Sequence, residues 1–158
     1  MKSSIEIIKA EQGHIPQIME LWRRLMLYHA DFDPWCELLE NAEQHYSEFI
    51  AKAIEDDRSL FLLAVEDDKT VGYIYGNIRE NPPVIREYRQ FYIEDMFVRP
   101  EYRGRGIGKI LLDKTIEWVK AKNIEKIQLD VHLKNPRGYN FWKECGFQEE
   151  CCLMFKEV

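Results

Sequence analysis

Three glycines, Gly104, Gly106 and Gly108, stand among Arg103, Arg105 and Lys109, after a turn at Pro100 and before a strongly helical stretch. Glycine lets a backbone approach a ligand closely, and the first amides of a helix lack intrahelical acceptors. The partial positive charge of a helix start adds to the three basic side chains, so this stretch is suited to a phosphate or pyrophosphate. It is not a Walker loop: the position five before Gly108 is Arg103, and Lys109 is followed by Ile110 rather than Ser or Thr. Nor is it a dinucleotide fingerprint, because the glycines are evenly spaced and no acidic residue ends a second strand about twenty residues on.

The elements that must hold this loop follow from periodicity. Ile5 to Lys9 reads as a first strand, and His14 to Tyr28 as an amphipathic helix through Ile15, Ile18, Met19, Trp22, Leu25 and Met26. Leu27 to Trp35 breaks that pattern with aromatics, His and Asp, which suit either a substrate-lining loop or one packed on the core. Tyr46, Phe49, Ile50, Ala53 and Ile54 mark a second helix ending near Asp56. Leu60–Glu66, a turn at Asp67–Lys69, Thr70–Ile78 ended by Asn81-Pro-Pro83, and Tyr88–Val98 form three strands with short connections, hence an antiparallel meander. A helix from Ile107, stopping at Asn123, and a strand from Ile124 to Val131 complete a parallel βαβ unit. The next helix is legible from its ends: Asn135 as N-cap, Pro136 in the first turn, Gly146 at the left-handed C′ site and Phe147 against Trp142. Gln148 to Val158 alternates loosely and reads as a last strand, with Cys151 and Cys152 on opposite faces.

The chain has 158 residues, 46% hydrophobic and 32% charged, which bounds one soluble globular domain over 1–158. No apolar run approaches twenty residues and the first residues, Met-Lys-Ser-Ser-Ile-Glu, lack the apolar block of a signal peptide, so no membrane partner and a cytoplasmic location are expected. Four cysteines without a Cys-x-x-Cys pair and four scattered histidines argue against zinc, and no metal is expected. A net charge of −6 argues against a nucleic-acid surface and favours a cationic small substrate by steering, or simply confers solubility. Aromatics in the later strands and a free sheet edge would permit a homodimer.

Arg103, Gly106 and Gly108 satisfy Arg-x-x-Gly-x-Gly. Preceded by Glu94-Asp-Met-Phe-Val-Arg-Pro-Glu-Tyr102, this resembles the acetyl-CoA loop of the Gcn5-related N-acetyltransferase (GNAT) superfamily. Asn135, Gly138, Trp142 and Gly146-Phe147 resemble its second motif, so the resemblance spans roughly residues 60 to 150. It implies a mixed α/β fold, a mostly antiparallel sheet with one parallel βαβ unit and a splayed central strand pair. The implied reaction is direct transfer of an acetyl group from acetyl-CoA, as co-substrate, to a primary amine. The pantetheine arm would bond main-chain groups near Met96, Phe97 and Val98, and Asn135 and Trp142 would flank it. Arg103 and the segment Gly104, Arg105, Gly106, Ile107, Gly108 and Lys109 would hold the pyrophosphate. Glu94 resembles the base of the polyamine acetyltransferase branch, or else Glu94 or Asp95 simply pairs with a basic side chain; the amide of Met96 or Phe97 would serve the oxyanion. The family's usual Tyr acid, seven residues after the Asn, is replaced by Trp142; Tyr139, one turn earlier, is the substitute. Small cationic amines are the favoured acceptors. A non-catalytic acyl-CoA sensor or a nucleotide-binding regulatory module would use the same loop differently: the first binds carrier without transfer, the second is stabilised by ATP or GTP as well as by CoA.

Overall fold

A computed structural model describes residues 4–82, 84 and 89–158. A five-stranded sheet runs in the order β1 (Glu6–Lys9), β2 (Ser59–Glu66), β3 (Lys69–Glu80), β4 (Arg89–Val98) and β5 (Lys126–Leu129). The first four strands are antiparallel neighbours and β5 lies parallel to β4, as the βαβ reading requires. Helices α1 (Ile15–Ala30) and α2 (Ala42–Glu55) cover one face, where Ile18, Leu21, Leu25 and Ile50 meet Phe61, Leu63, Tyr73 and Phe97. Helix α3 (Ile107–Ala121) covers the other, where Leu111, Leu112 and Val119 meet Leu60, Leu62, Ile74 and Phe91. Because both faces of β2 and β3 are covered, those strands read as apolar runs with little alternation.

Local chemistry sets the element ends. Asp67 and Asp68 take φ of 49° and 60°, the left-handed pair that a two-residue hairpin needs to match strand twist. Asn123, at φ 56°, ends α3: its amide bonds Lys120 O at 3.0 Å and the Ile124 amide bonds Val119 O at 3.2 Å. Helix α4 (Pro136–Glu144) closes the same way at Gly146, with Phe147 N to Trp142 O at 3.0 Å and the two rings edge to face at 5.3 Å.

Helix α2 ends at Glu55 as its apolar markers require, and starts at Ala42, a turn before the first of them. Three expectations are corrected. Helix α1 does not break at Leu27 but continues to Ala30, since no Gly or Pro intervenes before Pro34. Strand β5 covers four residues rather than eight: Ile124 is buried under α3 as part of the turn, and the strand ends where β4 parts from it. Residues 148–158 form no strand; Leu153, Met154 and Phe155 are 93, 86 and 82% exposed, and Cys151 and Cys152 are both exposed. The segment lies beside the edge strand β5, where Glu150 accepts from the Lys126 and Gln128 side chains, yet it forms no ladder with that strand. The strand start expected at Tyr88, the turn at Pro83 and the residues Met1 to Ser3 lie outside the described residues. Among the described residues no helix is long and apolar enough to cross a membrane.

Candidate active site

Strands β4 and β5 pair from Gln90–Lys126 to Ile93–Leu129, where β5 ends while β4 continues to Val98. Beyond Ile93 the two diverge, and alternate main-chain groups of β4 on the side away from β3 lack a ladder partner. A cleft of about 540 Å³ opens in this gap. Met96, Phe97 and Val98 line it, as the splayed-pair reading requires.

A β-bulge marks the divergence. Tyr75 faces Asp95 and Gly76 faces Ile93, leaving Glu94 as the extra residue. Phe91 and Ile93 point to the α3 layer, but after the bulge Phe97 points to the α1 layer and Met96 to the α3 layer. Simple alternation would send Glu94 and Asp95 to opposite faces; the bulge brings both toward α1 and α2. Glu94 accepts from Asn77 Nδ2 at 2.7 Å and Arg79 Nη2 at 2.6 Å. Asp95, part-buried, accepts from the Tyr46 hydroxyl at 2.6 Å. Burial raises the Asp95 carboxyl above the usual range, the Tyr46 bond opposes that rise and the Glu94 charge adds to it. Burial, with Tyr73 and Asp95 nearby, lifts Tyr46 far above an ordinary phenol, so it remains a donor.

The glycine loop closes the other end of the cleft. Gly104 and Gly106 take φ of 75° and 76°, a region open to glycine, and Gly106 N-caps α3. The amides of Ile107, Gly108 and Lys109 begin the helix without acceptors on the preceding turn. At Gly108 an added Cβ would lie 2.8 Å from Met96 Cε and 3.2 Å from the Phe141 ring, so glycine there lets α3 sit against β4 and α4. Asn135 caps α4 by accepting from the Gly138 amide at 3.0 Å, and the same Oδ1 accepts from the Tyr28 hydroxyl at 2.8 Å.

Of the residues singled out from sequence, Glu94, Met96, Phe97, Val98, Arg103, Gly104, Gly106, Ile107, Gly108, Lys109, Asn135 and Trp142 all line this cleft. Two do not. Arg105 turns away to an ion pair with Glu66. The Tyr139 hydroxyl is bonded to Glu149, and that bond raises its pKa. Sequence reasoning left the Tyr28 segment open between pocket and packing; Tyr28, His29, Phe32 and Asp33 line the cleft. Burial lowers the pKa of His29, against the pull of Asp33, so its imidazole is neutral at pH 7. Asp130, His132, Arg137 and Phe141 were missed. The rule that ligands sit beyond the carboxyl ends of parallel strands was the available signal for the first two.

Charged residues line the cleft in groups: Arg103, Lys109 and Arg137 come from the glycine loop and the starts of α3 and α4, Asp33, Glu94, Asp95 and Asp130 from beyond α1 and from the ends of β4 and β5, and Glu144 from the end of α4. The first group suits a polyanion and the second a cation.

A model of the acetyltransferase (GNAT) family matches residues 17–147. An uncharacterized N-acetyltransferase of Methanocaldococcus jannaschii is 30% identical over 125 residues, 75% of this chain and 51% of the relative, so the chain spans about half that protein's length. A spermidine N(1)-acetyltransferase of Thermoplasma acidophilum is 27% identical over 154 residues, 93% of this chain and 90% of its own. Among solved structures, the aminoglycoside N-acetyltransferase AAC(6')-Iy in complex with CoA superposes with a TM-score of 0.79 at 19% identity, covering 100% of this chain and 97% of that one. With the diverging strands, the glycine loop and the capped second helix in place, and the family model spanning most of the sequence, the chain belongs to the GNAT family of acetyltransferases.

Proposed function

We propose that the chain transfers the acetyl group of acetyl-CoA directly to a primary amine of a small, polyamine-like cation. The observation that carries this reading is the single cleft lined by a basic, amide-rich group and by an acidic one. The spermidine acetyltransferase and aminoglycoside acetyltransferase among its relatives are named for acceptors that carry several amines, which supports the same class.

An amine with a pKa near 10 is almost wholly protonated at pH 7 and must lose its proton before it attacks the thioester carbonyl. Glu94 is the base in this reading. Its Oε1 is fixed by Asn77 and Arg79, and the carboxylate borders the cleft. The amide of Met96 or Phe97 stabilises the oxyanion of the tetrahedral intermediate. The C–S bond then breaks and the pair leaves on sulfur; a thiol of pKa about 8–9 departs as thiolate without a protein acid. Trp142 offers no such acid, and Tyr139 serves in that role only if it leaves Glu149 and turns into the cleft.

Glu94→Gln tests the assignment: turnover with an amine panel should fall at least tenfold while the affinity for CoA is unchanged. Unaltered turnover across the pH profile would remove Glu94 from the mechanism. The missing acid favours one second reading, an acyl-CoA sensor that binds without transfer, and CoA release by wild type in the same panel decides between the two.

A further inference from the structure

Where β4 and β5 part, the last paired residues are Ile93 and Leu129, and both side chains pack on the α3 layer. The next residue of each chain turns to the opposite face, so Glu94 of β4 and Asp130 after β5 stand across the fork from one another. Both line the cleft. Tyr92, two residues before Glu94 and on the same face, is coupled to each of them. Burial first, then the hydrogen bond and charge of Asp130, raises the pKa of its phenol; the Arg79 charge opposes that rise and the Glu94 charge adds to it. The Arg79 guanidinium lies 3.4 Å from the Tyr92 ring centre and donates Nη2 to Glu94 at 2.6 Å, so one side chain braces the ring and the carboxylate together.

The two carboxylates differ in what balances them. Arg79 offsets the charge of Glu94, whereas Asp130 makes no ion pair among the described residues and is met by a neutral hydroxyl. A carboxylate whose charge is already offset can take a proton from an amine without holding a lasting cation. One whose charge is not offset gains by keeping a cation beside it. Of the other carboxylates, Asp95 is held by the Tyr46 hydroxyl and Asp33 accepts from the Trp35 amide at 3.0 Å; neither stands on the arm opposite Glu94. We infer that Asp130 seats the second, non-reacting ammonium of the acceptor while Glu94 takes the proton of the first, so that Asp130 selects diamines over monoamines. This rests on the acetyl-transfer reading above and names the residue that narrows its acceptor. Neighbouring strands lie roughly 4.8 Å apart and these two have begun to separate, a gap that about three or four methylenes between two ammonium groups would span. Tyr92 is then a positioning residue, holding Asp130 from a ring that Arg79 braces.

Asp130 is exposed, so Asp130→Asn should fold normally, which a thermal melt verifies. With acetyl-CoA saturating, kcat/KM is measured for trimethylenediamine and tetramethylenediamine against propylamine and butylamine. Wild type should prefer each diamine to the monoamine of the same length, and Asp130→Asn should lower that preference about tenfold, mainly through a higher KM for the diamine. Asp130→Glu, which keeps the charge, should recover part of the preference, and Tyr92→Phe should lose several-fold of it in the same direction. Asp33→Asn removes an equal charge from the α1 side of the cleft and should lower the preference much less. No preference in wild type, an unchanged preference in Asp130→Asn, or an equal fall in Asp33→Asn, which would mark general steering, would overturn the seat. So would a common loss of kcat for monoamines and diamines in Asp130→Asn; each of these leaves the acetyl-transfer reading standing. Failure of wild type to release CoA with any of the amines would instead sink that underlying reading.

Discussion

Asn135 bears two loads on one atom. Its Oδ1 accepts from the Gly138 amide and from the Tyr28 hydroxyl, so it caps α4 and ties α1 to it across the mouth of the cleft. Asn135→Ala loses an N-cap worth about 1 kcal/mol and a neutral hydrogen bond worth about 1 kcal/mol, roughly 1.5–3 kcal/mol together. For a domain of this size each kcal/mol moves Tm by about 2–4 °C, so calorimetry should show a fall of roughly 3–12 °C. Tyr28→Phe should lose only the second part, about 0.5–1.5 kcal/mol, and most of that loss should disappear when Asn135 is already Ala. Asn135→Asp is the discriminating control. Aspartate accepts both bonds and favours a helix start, so stability should hold, yet its charge beside the basic group should weaken CoA binding by severalfold. If Asn135→Ala cost less than about 0.5 kcal/mol, or if the Tyr28 and Asn135 losses simply added, the bracing of α1 to α4 by this atom would be refuted.

Two further perturbations bear on the bulge and the acidic wall. A Cβ at Gly76 would lie 2.5 Å from both the Phe91 ring and the Tyr92 carbonyl, so Gly76→Ala should cost about 1–3 kcal/mol in denaturant unfolding and lower kcat/KM as well. Asp95 carries a pKa raised by burial, so its ionisation opposes folding, a penalty absent below the usual carboxylate pKa and present once pH rises through the raised folded value. Asp95→Asn should therefore melt with wild type in acid and above it as pH climbs toward neutrality, and a constant Tm difference across that range would contradict the assignment.

The parts legible in sequence are those whose causes are local. The Asn135 cap, the Gly146–Phe147 close and the Asn123 stop each depend on a few adjacent residues, and the structure forms all three. The glycine loop was readable for the same reason. What escaped depends on partners far along the chain. The break at Leu27 did not occur because polar and aromatic residues do not end a helix without a backbone reason. The last strand did not form although Glu150 reaches the Lys126 and Gln128 side chains of the edge strand β5, because residues 148–158 make no backbone ladder with it. The carboxylates come from beyond the end of α1, the bulge in β4 and the end of β5, and no spacing within the chain announces that Asp33, Asp95 and Asp130 line one cleft.

The bulge at Glu94 joins these separate outcomes. In a regular strand Asp95 would follow Phe91 and Ile93 toward α3, into a layer of Leu111, Leu112 and Val119 that offers a carboxylate no donor. One extra residue turns Asp95 instead to the Tyr46 hydroxyl and places Met96 where Gly108 lets α3 approach. Bulges also bend the strand that carries them, and this one sits where β4 and β5 cease to pair. The end of the β4–β5 pairing and the turning of Asp95 onto the face that Glu94 occupies thus coincide at a single local event. The residue opposite it, Gly76, lines no part of the cleft, yet its lack of a side chain permits the close crossing that the event needs. A substitution there should therefore damage binding and catalysis from outside the site, by forcing the strand back toward a register in which the two carboxylates no longer share a face.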